Sequence, residues 1–256
     1  MKLNLKGKKA LITGASRGIG YAVAKELAME GCDLHLTARN ENDLNLAKKV
    51  FEEQYGVKVV THVFDLSSEF NVKQLALECG PVDILINNAG AIPHAPLSEF
   101  SDHSWKEGWD LKVFGFINLT REIYPLMCQR NNGVIINVAG VAGERPLANY
   151  IAGSMGNSAL MTMSRALGAE SVKHGVRVIA VNPGGIETDR QAQSWKQRAE
   201  KTLGDESRWR ELAEKRPIKR LGSVEEISGV IVFLCSERAS YISGTVITVD
   251  GGTSAA

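Results

Sequence analysis

Three glycines close to the amino terminus form a pattern that could bind a phosphate group. Gly14, Gly18 and Gly20 follow the short apolar run 10–12, and apolar residues with helical spacing begin at Tyr21. Because glycine lacks a Cβ atom, these residues permit a tight turn and let the backbone approach a pyrophosphate, whose charge a helix N-terminus stabilises. The stretch therefore predicts a strand, a phosphate-binding turn and a helix, although such glycine turns also occur as plain connections.

Composition and charge restrict the class of protein. The chain has 256 residues, 44% of them hydrophobic, which suffices for a sizeable core. Its 30 Lys and Arg residues nearly balance 29 Asp and Glu residues, so charge gives no reason to expect a nucleic acid or an anionic membrane as partner. No secretion signal and no apolar run near the ~18 residues of a membrane span are visible, which favours a cytoplasmic protein.

The cysteines do not suggest a metal centre or a disulfide framework. The four of them are far apart along the chain and match neither kind of spacing. We therefore expect no bound metal and reduced, buried thiols at Cys32, Cys79, Cys128 and Cys235.

Apolar runs and helical patterns alternate along the whole chain. Strands are predicted at residues 10–12, 33–38, 57–64, 82–87, 133–138, 176–181 and 244–249. Helices are predicted at residues 21–28, 41–55, 68–79, 103–130, about 150–173 and 223–236, with an irregular polar helical stretch up to residue 215. This alternation predicts an α/β fold of the doubly wound Rossmann type, a parallel sheet of about seven strands with helices on both faces. Since no linker or repeat divides the chain, residues 1–256 are expected to form a single domain.

Several motifs, in their order and spacing, resemble the short-chain dehydrogenase/reductase family from about residue 6 to residue 252. They are Thr13-Gly14-x-x-x-Gly18-x-Gly20, Asp65-Leu66, Asn87-Asn88-Ala89-Gly90, Tyr150, Asn182-Pro183-Gly184, Thr188 and Val249-Asp250-Gly251-Gly252. The resemblance implies that Asp65 hydrogen-bonds adenine, although Asp65 could instead simply cap the next helix. It also implies that Asn87 stabilises the central strands and that residues 183–188 cover the nicotinamide. The implied cofactor-binding residues are Gly14, Ser16, Arg17, Gly18, Ile19, Gly20, Arg39, Asp65, Leu66, Asn88, Ala89, Gly90, Pro183, Gly184, Ile186 and Thr188.

The residues after the second strand indicate which nicotinamide cofactor is preferred. An acidic residue there would accept hydrogen bonds from the ribose hydroxyls of NAD and repel a 2′-phosphate, but this chain has Arg39. Arg17, in the glycine turn, could contribute a second guanidinium to the same phosphate. Both arginines could also be ordinary solvated side chains. We expect NADP(H) as the preferred cofactor, with NAD(H) possible.

The catalytic residues depart from the pattern of the family that the chain resembles. That pattern has a serine after the fifth strand, a tyrosine followed four residues later by lysine, and an asparagine on the long preceding helix. Here Tyr150 is present, but Ala139-Gly140 replaces the serine, Ser154 stands where the lysine belongs, and Lys112 aligns with the asparagine.

Lys112 could supply the missing positive charge from a different helix. A tyrosine with a pKa near ~10 transfers protons poorly at neutral pH unless a positive charge stabilises its phenolate. We therefore expect Tyr150 to act as the general acid or base with help from Lys112, and Ser154, one helical turn away, to leave room for the ammonium group. Lys112 could also be a solvated helix residue beside a degenerate site.

The hydrogen bond that the family serine gives to the carbonyl oxygen needs a replacement. Losing one such donor can cost on the order of 100-fold to 1000-fold in rate. Ser154, a backbone N–H near Gly140 and Lys112 are the candidates, and the sequence does not choose between them.

Substrate contacts are expected from the loops at residues 91–97 and 141–147 and from a lid at about 188–216. His94, Gly140, Arg145 and Trp195 are the candidate substrate-binding residues, and Arg190 could meet an anionic group. Loop histidines and arginines are, however, more often simply solvated.

Two kinds of function are compatible with these motifs. The first is an NADPH-dependent oxidoreductase that acts on a small carbonyl compound or secondary alcohol. The alternative is a cofactor-binding protein with little redox activity, such as a nucleotide sensor or a structural subunit. The small residues of the stretch 152–159 and the family resemblance also predict a homodimer or homotetramer.

Overall fold

A computed structural model describes residues 2–90 and 92–256, which form a seven-stranded parallel sheet. The strands are β1 (Lys9–Thr13), β2 (Asp33–Ala38), β3 (Val59–Val63), β4 (Ile84–Asn87), β5 (Gly133–Val138), β6 (Val176–Pro183) and β7 (Thr245–Val249). Their order across the sheet is β3-β2-β1-β4-β5-β6-β7, so the direction of winding reverses between β1 and β4. The predicted doubly wound Rossmann fold is confirmed.

The helices mostly begin where the sequence predicts them. They are α1 (Gly18–Met29), α2 (Glu41–Tyr55), α3 (Glu69–Cys79), α4 (Asp102–Trp109), α5 (Gly115–Gln129), α6 (Ile151–Ser171), α7 (Asp189–Leu203), α8 (Trp209–Ala213) and α9 (Val224–Cys235). Side-chain caps at Asn40, Ser68, Thr188 and Ser223 fix four of these starts by accepting a backbone N–H of the first turn. Among the described residues, no helix combines the length and the apolar character that a membrane crossing requires.

The long helix predicted at residues 103–130 is in fact two helices joined by a wider turn. Residues Asp110–Phe114 form one turn of π-helix between α4 and α5. Apolar spacing alone cannot reveal this change of backbone pitch, because both helix types keep the same broad face buried. The π turn matters for function because Lys112 lies at its centre.

Side chains from alternate strand positions build a core on each face of the sheet. Ala10 and Ile12 of β1 belong to the cluster that α1, α2 and α9 cover, whereas Leu11 faces the cluster under α3 and α5. A chain of buried amides then crosses the centre of the sheet. Asn87 Nδ2 donates to Asn137 Oδ1 at 2.9 Å, and Asn137 Nδ2 donates to Ser164 Oγ on α6 at 2.9 Å. These bonds hold β4, β5 and α6 in a fixed relation next to the carboxyl edge of the sheet.

Candidate active site

The glycine turn after β1 has no room for a side chain at Gly20. A Cβ atom added at Gly20 would lie 2.2 Å from Gly14 O and 2.6 Å from Asn88 Nδ2, and Gly14 and Gly18 have φ angles of 65° and 59°. No side chain caps the start of α1, and no acidic residue stands in its first turn. A close-packed turn that ends in an uncapped helix N-terminus fits the pyrophosphate of a dinucleotide.

Residues from two other strand ends, those of β4 and β6, meet this turn. The Thr13 hydroxyl accepts the N–H groups of Asn88 and Ala89 at 2.8 and 2.9 Å. A Cβ atom added at Gly18 would lie 3.4 Å from Thr188 Cγ2, so the segment after β6 lies against the turn. The structure therefore brings together the predicted cofactor residues of the glycine turn, of the segment 88–90 and of the segment 183–188.

Arg39 and Asp65 lie side by side at the ends of β2 and β3. Arg39 Nη1 lies 3.8 Å from Asp65 Oδ2, and the Arg39 side chain is 69% exposed, which leaves its guanidinium accessible. Asp65 Oδ1 also accepts the Ser67 N–H at 3.0 Å, so Asp65 shapes the turn before α3. Leu66 is buried next to Gly115.

Lys112 extends from the π turn across the carboxyl edge of the sheet. Its Nζ donates to Ala139 O, just after β5, at 2.9 Å. Its aliphatic stem packs on Gly90, where an added Cβ atom would lie 2.8 Å from Lys112 Cδ. Burial lowers the pKa of Lys112 to about 7, and the charge of Arg190 acts in the same direction. The ammonium group is therefore directed at the end of β5 and titrates near neutral pH.

Tyr150 immediately precedes α6, and its ring folds back over the first turn of that helix. A Cβ atom added at Gly153 would lie 2.0 Å from Tyr150 Cζ, so the ring fills the space that a side chain at residue 153 would use. The His94 ring stacks on the other side, with ring centroids 4.1 Å apart. Burial raises the pKa of Tyr150, and the positive charge of Arg190 opposes this shift.

Arg190 links the groups at this edge. Its Nη1 donates to Gly90 O at 2.8 Å, and its charge influences the pKa values of Lys112, Tyr150 and His94. Burial and Arg190 both lower the pKa of His94, so this ring stays neutral at physiological pH.

The other predicted catalytic and substrate residues have partners inside the protein. Ser154 Oγ accepts the Leu147 N–H at 3.1 Å, and Gly140 donates its N–H to Asn182 Oδ1 at 3.3 Å. Arg145 donates to Thr253 O, and Trp195 is buried against Trp209 in the small core of α7 and α8. Their roles toward a substrate, and the lid at about 188–216, stay predictions. Ala91, the first residue of the predicted substrate loop 91–97, lies outside the described residues.

Gly153 and Asn157 were not among the residues that the sequence singled out. Asn157 is 3% exposed, and its Nδ2 lies 3.0 Å from where a Cβ atom of Gly140 would be. Its Oδ1 has no hydrogen-bond partner among residues 2–90 and 92–256. The spacing of four residues between Gly153 and Asn157 is visible in the sequence. It indicates a functional pair only once the Tyr150 ring is known to lie at Gly153.

One cluster of metal-ligand side chains lies elsewhere, between β2, β3 and α3. His35 Nδ1 lies 3.0 Å from His62 Nε2, Cys79 Sγ lies 3.6 Å from the same nitrogen, and His62 Nδ1 lies 2.8 Å from Glu78 Oε2. These contacts pair both ring nitrogens of His62 within the protein.

Comparison with known proteins agrees with this architecture. The family model described as enoyl-(acyl carrier protein) reductase matches residues 14–254. Gluconate 5-dehydrogenase of Gluconobacter oxydans is 35% identical over 256 residues, which cover 97% of this chain and 95% of that protein. The 3-oxoacyl-[acyl-carrier-protein] reductase FabG of Escherichia coli is 34% identical, with 98% of both chains covered.

A solved structure matches equally well. L-sorbose reductase of Gluconobacter frateurii, in complex with NADPH and L-sorbose, superposes with a TM-score of 0.94 at 35% identity, and the match covers 100% of both chains. Full coverage by such relatives establishes the family and the class of enzyme. The chain belongs to the short-chain dehydrogenase/reductase family and is an oxidoreductase of that family.

Proposed function

We propose that this enzyme transfers a hydride between NADPH and a small carbonyl compound, with Tyr150 as the proton donor, assisted by the cation Lys112. In the reverse direction it would oxidise a secondary alcohol, with Tyr150 as the base. The observation that carries the proposal is the position of Lys112, whose ammonium group lies 2.9 Å from Ala139 O at the end of β5.

The chain offers a complete set of groups for the cofactor. The glycine turn and the N-terminus of α1 would hold the pyrophosphate, and the segment 183–188 would cover the nicotinamide. The exposed guanidinium of Arg39 would bind a 2′-phosphate, with Arg17 as a second donor. NADPH in the similar L-sorbose reductase supports the same preference, and NADH would bind more weakly. The bound nicotinamide supplies or accepts the hydride.

Tyr150 and Lys112 would have different roles in proton transfer. Burial keeps the Tyr150 phenol protonated, which suits a proton donor to a carbonyl oxygen that gains charge. The Lys112 ammonium would stabilise the phenolate that remains. Gly140 N–H already bonds Asn182 Oδ1, whereas the Ser154 hydroxyl accepts the Leu147 N–H and keeps its own proton to donate. Lys112, whose Nζ has further protons beside the one given to Ala139 O, and Ser154 are therefore the candidate donors toward the substrate oxygen.

The surroundings of Tyr150 and the names of the relatives support a proposal for the substrate class. A neutral His94 and the guanidinium of Arg190 offer hydrogen bonds to hydroxyl or carboxylate groups. Gluconate 5-dehydrogenase and L-sorbose reductase carry the names of hydroxylated compounds. We therefore favour a hydroxylated ketone or keto acid. A cofactor-binding protein with little redox activity is the alternative, and the absence of a hydroxyl at Ala139-Gly140 favours it.

The face of α6 that carries Met155 and Ala159 is the basis for a proposal about assembly. An apolar groove of about 570 Å³ lies there, lined by Trp109, Pro146, Leu147, Ala148, Ile151, Ser154, Met155, Ser158 and Ala159. We propose that this face joins copies of the chain into a homodimer or homotetramer.

The first experiment measures cofactor binding and turnover on the same preparations. NADPH and NADH are titrated by fluorescence, and NADPH oxidation is followed with L-sorbose, 5-ketogluconate and simple ketones. Lys112→Met and Tyr150→Phe are compared with Lys106→Met, which removes an exposed lysine whose ion pair is with Asp102. We expect tighter binding of NADPH than of NADH, and roughly a 100-fold or larger loss of turnover in the first two variants only.

The same experiment contains the outcomes that oppose the proposal. Unchanged turnover in Lys112→Met would reject the role of this lysine. Tight NADPH binding by the wild type without oxidation by any carbonyl compound would favour the cofactor-binding alternative.

A further inference from the structure

The ring of Tyr150 occupies the place of a different residue in α6. Tyr150 itself precedes the helix, but its Cζ, Cε1 and Cε2 atoms lie 2.0 to 2.5 Å from where a Cβ atom of Gly153 would be. Only glycine at 153 leaves this space to the ring. The phenol ring of Tyr150 therefore occupies the space of a side chain at position 153, which lies one helical turn after residue 150.

Counting four residues from position 153 leads to Asn157 instead of Ser154. In an α-helix, residues four apart lie one above the other on the same face. Asn157 therefore follows Gly153 on the same face of α6, whereas the Ser154 hydroxyl accepts the Leu147 N–H and the residue lines the outer apolar groove.

Asn157 has a buried acceptor that lacks a partner. The residue is 3% exposed, and its Oδ1 accepts no hydrogen bond from the described residues. Its amide also faces the end of β5, because Nδ2 lies 3.0 Å from where a Cβ atom of Gly140 would be. Most buried side-chain polar atoms in proteins have a partner, so this oxygen points to a donor that a ligand brings.

Lys112 approaches the same strand end from a different helix. Its Nζ bonds Ala139 O, and Asn157 adjoins Gly140, the next residue along the chain. An ammonium group on one helix and a carboxamide on another therefore converge on two consecutive residues. The family pattern given above has the reverse assignment, with asparagine on the long helix and lysine on the helix of the tyrosine.

We propose that Lys112 and Asn157 are an exchanged pair, in which Lys112 supplies the charge and Asn157 Oδ1 accepts a hydrogen bond from a sugar hydroxyl of the bound dinucleotide. This inference rests on the proposed cofactor. A neutral carboxamide can accept from a hydroxyl but cannot stabilise a phenolate, whereas an ammonium group carries the charge but has no acceptor, so the two residues have different tasks. Asn157 is thus a cofactor-binding residue, and Lys112 remains the source of charge.

A reciprocal substitution tests the exchange. Four proteins are compared: the wild type, Lys112→Asn, Asn157→Lys and the double variant. The measurements are the NADPH dissociation constant from fluorescence titration, turnover, and the thermal unfolding midpoint. We expect roughly a 100-fold loss of turnover in Lys112→Asn, and at least a tenfold recovery when Asn157→Lys is added to it. Losses that simply multiply in the double variant would overturn the exchange.

A second variant covers the case in which a lysine at 157 prevents folding. Asn157→Leu keeps the size of the side chain and removes the acceptor. We expect NADPH to bind roughly five- to tenfold more weakly to it, with no decrease in the unfolding midpoint of the cofactor-free protein, because the lost oxygen has no partner in the part of the chain that the structure describes. Asn118→Leu, on the neighbouring helix, is the control, since the Asn118 side chain accepts a hydrogen bond from the exposed Arg121.

The two proposals fail in different ways. Unchanged NADPH affinity in Asn157→Leu would overturn the role of Asn157, whatever the turnover of the wild type. If the wild type failed to bind NADPH, the proposed function and the exchange would both be rejected. If it bound and oxidised NADPH but the double variant recovered nothing, only the exchange would be rejected.

Discussion

Lys112 combines a charge that its function requires with surroundings that oppose the charge. The hydrogen bond to Ala139 O favours the ammonium form, while burial and the nearby Arg190 lower the pKa to about 7. A lysine on the protein surface, with its pKa near ~10.4, would be charged throughout the physiological range. The charge of Lys112 is partly lost already at neutral pH. Activity should therefore depend on pH near 7, a range in which a lysine on the surface stays fully charged.

We therefore predict a decline in the kcat/KM of carbonyl reduction as the pH rises through about 7. The pKa of Lys112 is lowered, so its ammonium group is present below that pH and lost above it. Tyr150 does not add to this decline, because burial raises its pKa and keeps the phenol protonated. The measurement is the pH profile of kcat/KM, which reports groups of the free enzyme.

Lys112→Arg provides the comparison for this pH profile. A guanidinium stays protonated over the whole range, so the decline near pH 7 should disappear in this variant even if its overall rate is lower. A wild-type profile that is level from pH 6 to 9 would contradict the assignment.

At the scale of residues, the sequence identified Tyr150 and Lys112 but not Gly153 and Asn157. Tyr150 and Lys112 could be identified because their positions can be compared with the tyrosine and the asparagine of the family pattern. The meaning of Gly153 depends on where the ring of another residue lies, and a rotamer of Tyr150 cannot be read from helical spacing.

Among the secondary-structure elements, the π turn between α4 and α5 decides where Lys112 points. A π turn contains an extra residue compared with an α-helical turn, and such turns are frequent at functional sites. The stem of Lys112 leaves this turn across Gly90, which follows β4. The absence of a side chain at residue 90 is therefore a condition for the contact between Lys112 and Ala139.

Gly90→Ala should displace this lysine without unfolding the protein. The added Cβ atom would lie 2.8 Å from Lys112 Cδ and 3.0 Å from Cγ, and the flexible stem would move away from it. Since a misplacement of about 1 Å can cost up to ~100-fold in rate, we expect kcat to fall between ~10-fold and ~100-fold. Kinetics and thermal unfolding measured on the same sample check this prediction.

Gly229→Ala in α9 is the matched control. A Cβ atom there would have only an ordinary contact of 3.8 Å with Glu26 Oε2, so neither rate nor stability should decrease. A Gly90→Ala enzyme with wild-type kcat would show that the position of the Lys112 stem does not limit catalysis.

The sequence predicted the elements themselves better than their internal geometry. Strand and helix periods alternate clearly enough to give the sheet and most helix starts, several of which have capping side chains. The division of residues 103–130 into α4, a π turn and α5 was missed, because Gly115 and the residues around it keep a helical apolar pattern.

At the scale of the whole molecule, the parallel sheet gathers distant parts of the chain at one edge. Residues after β1, β4, β5 and β6 meet there because every strand points the same way and the winding reverses between β1 and β4. This convergence could be predicted from the sequence, since it follows from the order of elements alone. The hydrogen bonds between the residues at this edge could not be predicted from the sequence, because they depend on side-chain packing.

The groove beside α6 leads to a prediction about assembly. Met155 and Leu147 expose 48% and 46% of their surface in a region with few polar groups. We expect light scattering to give a mass two or four times the 27.8 kDa of one chain. We expect Met155→Asp to shift the protein toward the monomer, because it places a charge in the contact between copies.

Leu77→Asp is the control for this experiment, because Leu77 is 75% exposed on α3, outside the groove. This variant should keep the wild-type mass. A wild-type mass of 27.8 kDa at every concentration would contradict the proposed assembly.

The Tyr150 ring over Gly153 also bears on how relatives with the same arrangement are recognised. A search for a tyrosine followed four residues later by a lysine meets Ser154 in place of the lysine and passes over such a chain. A pattern of tyrosine, two residues, glycine, three residues and asparagine, together with a lysine on the preceding long helix, would instead collect these chains as one lineage of enzymes.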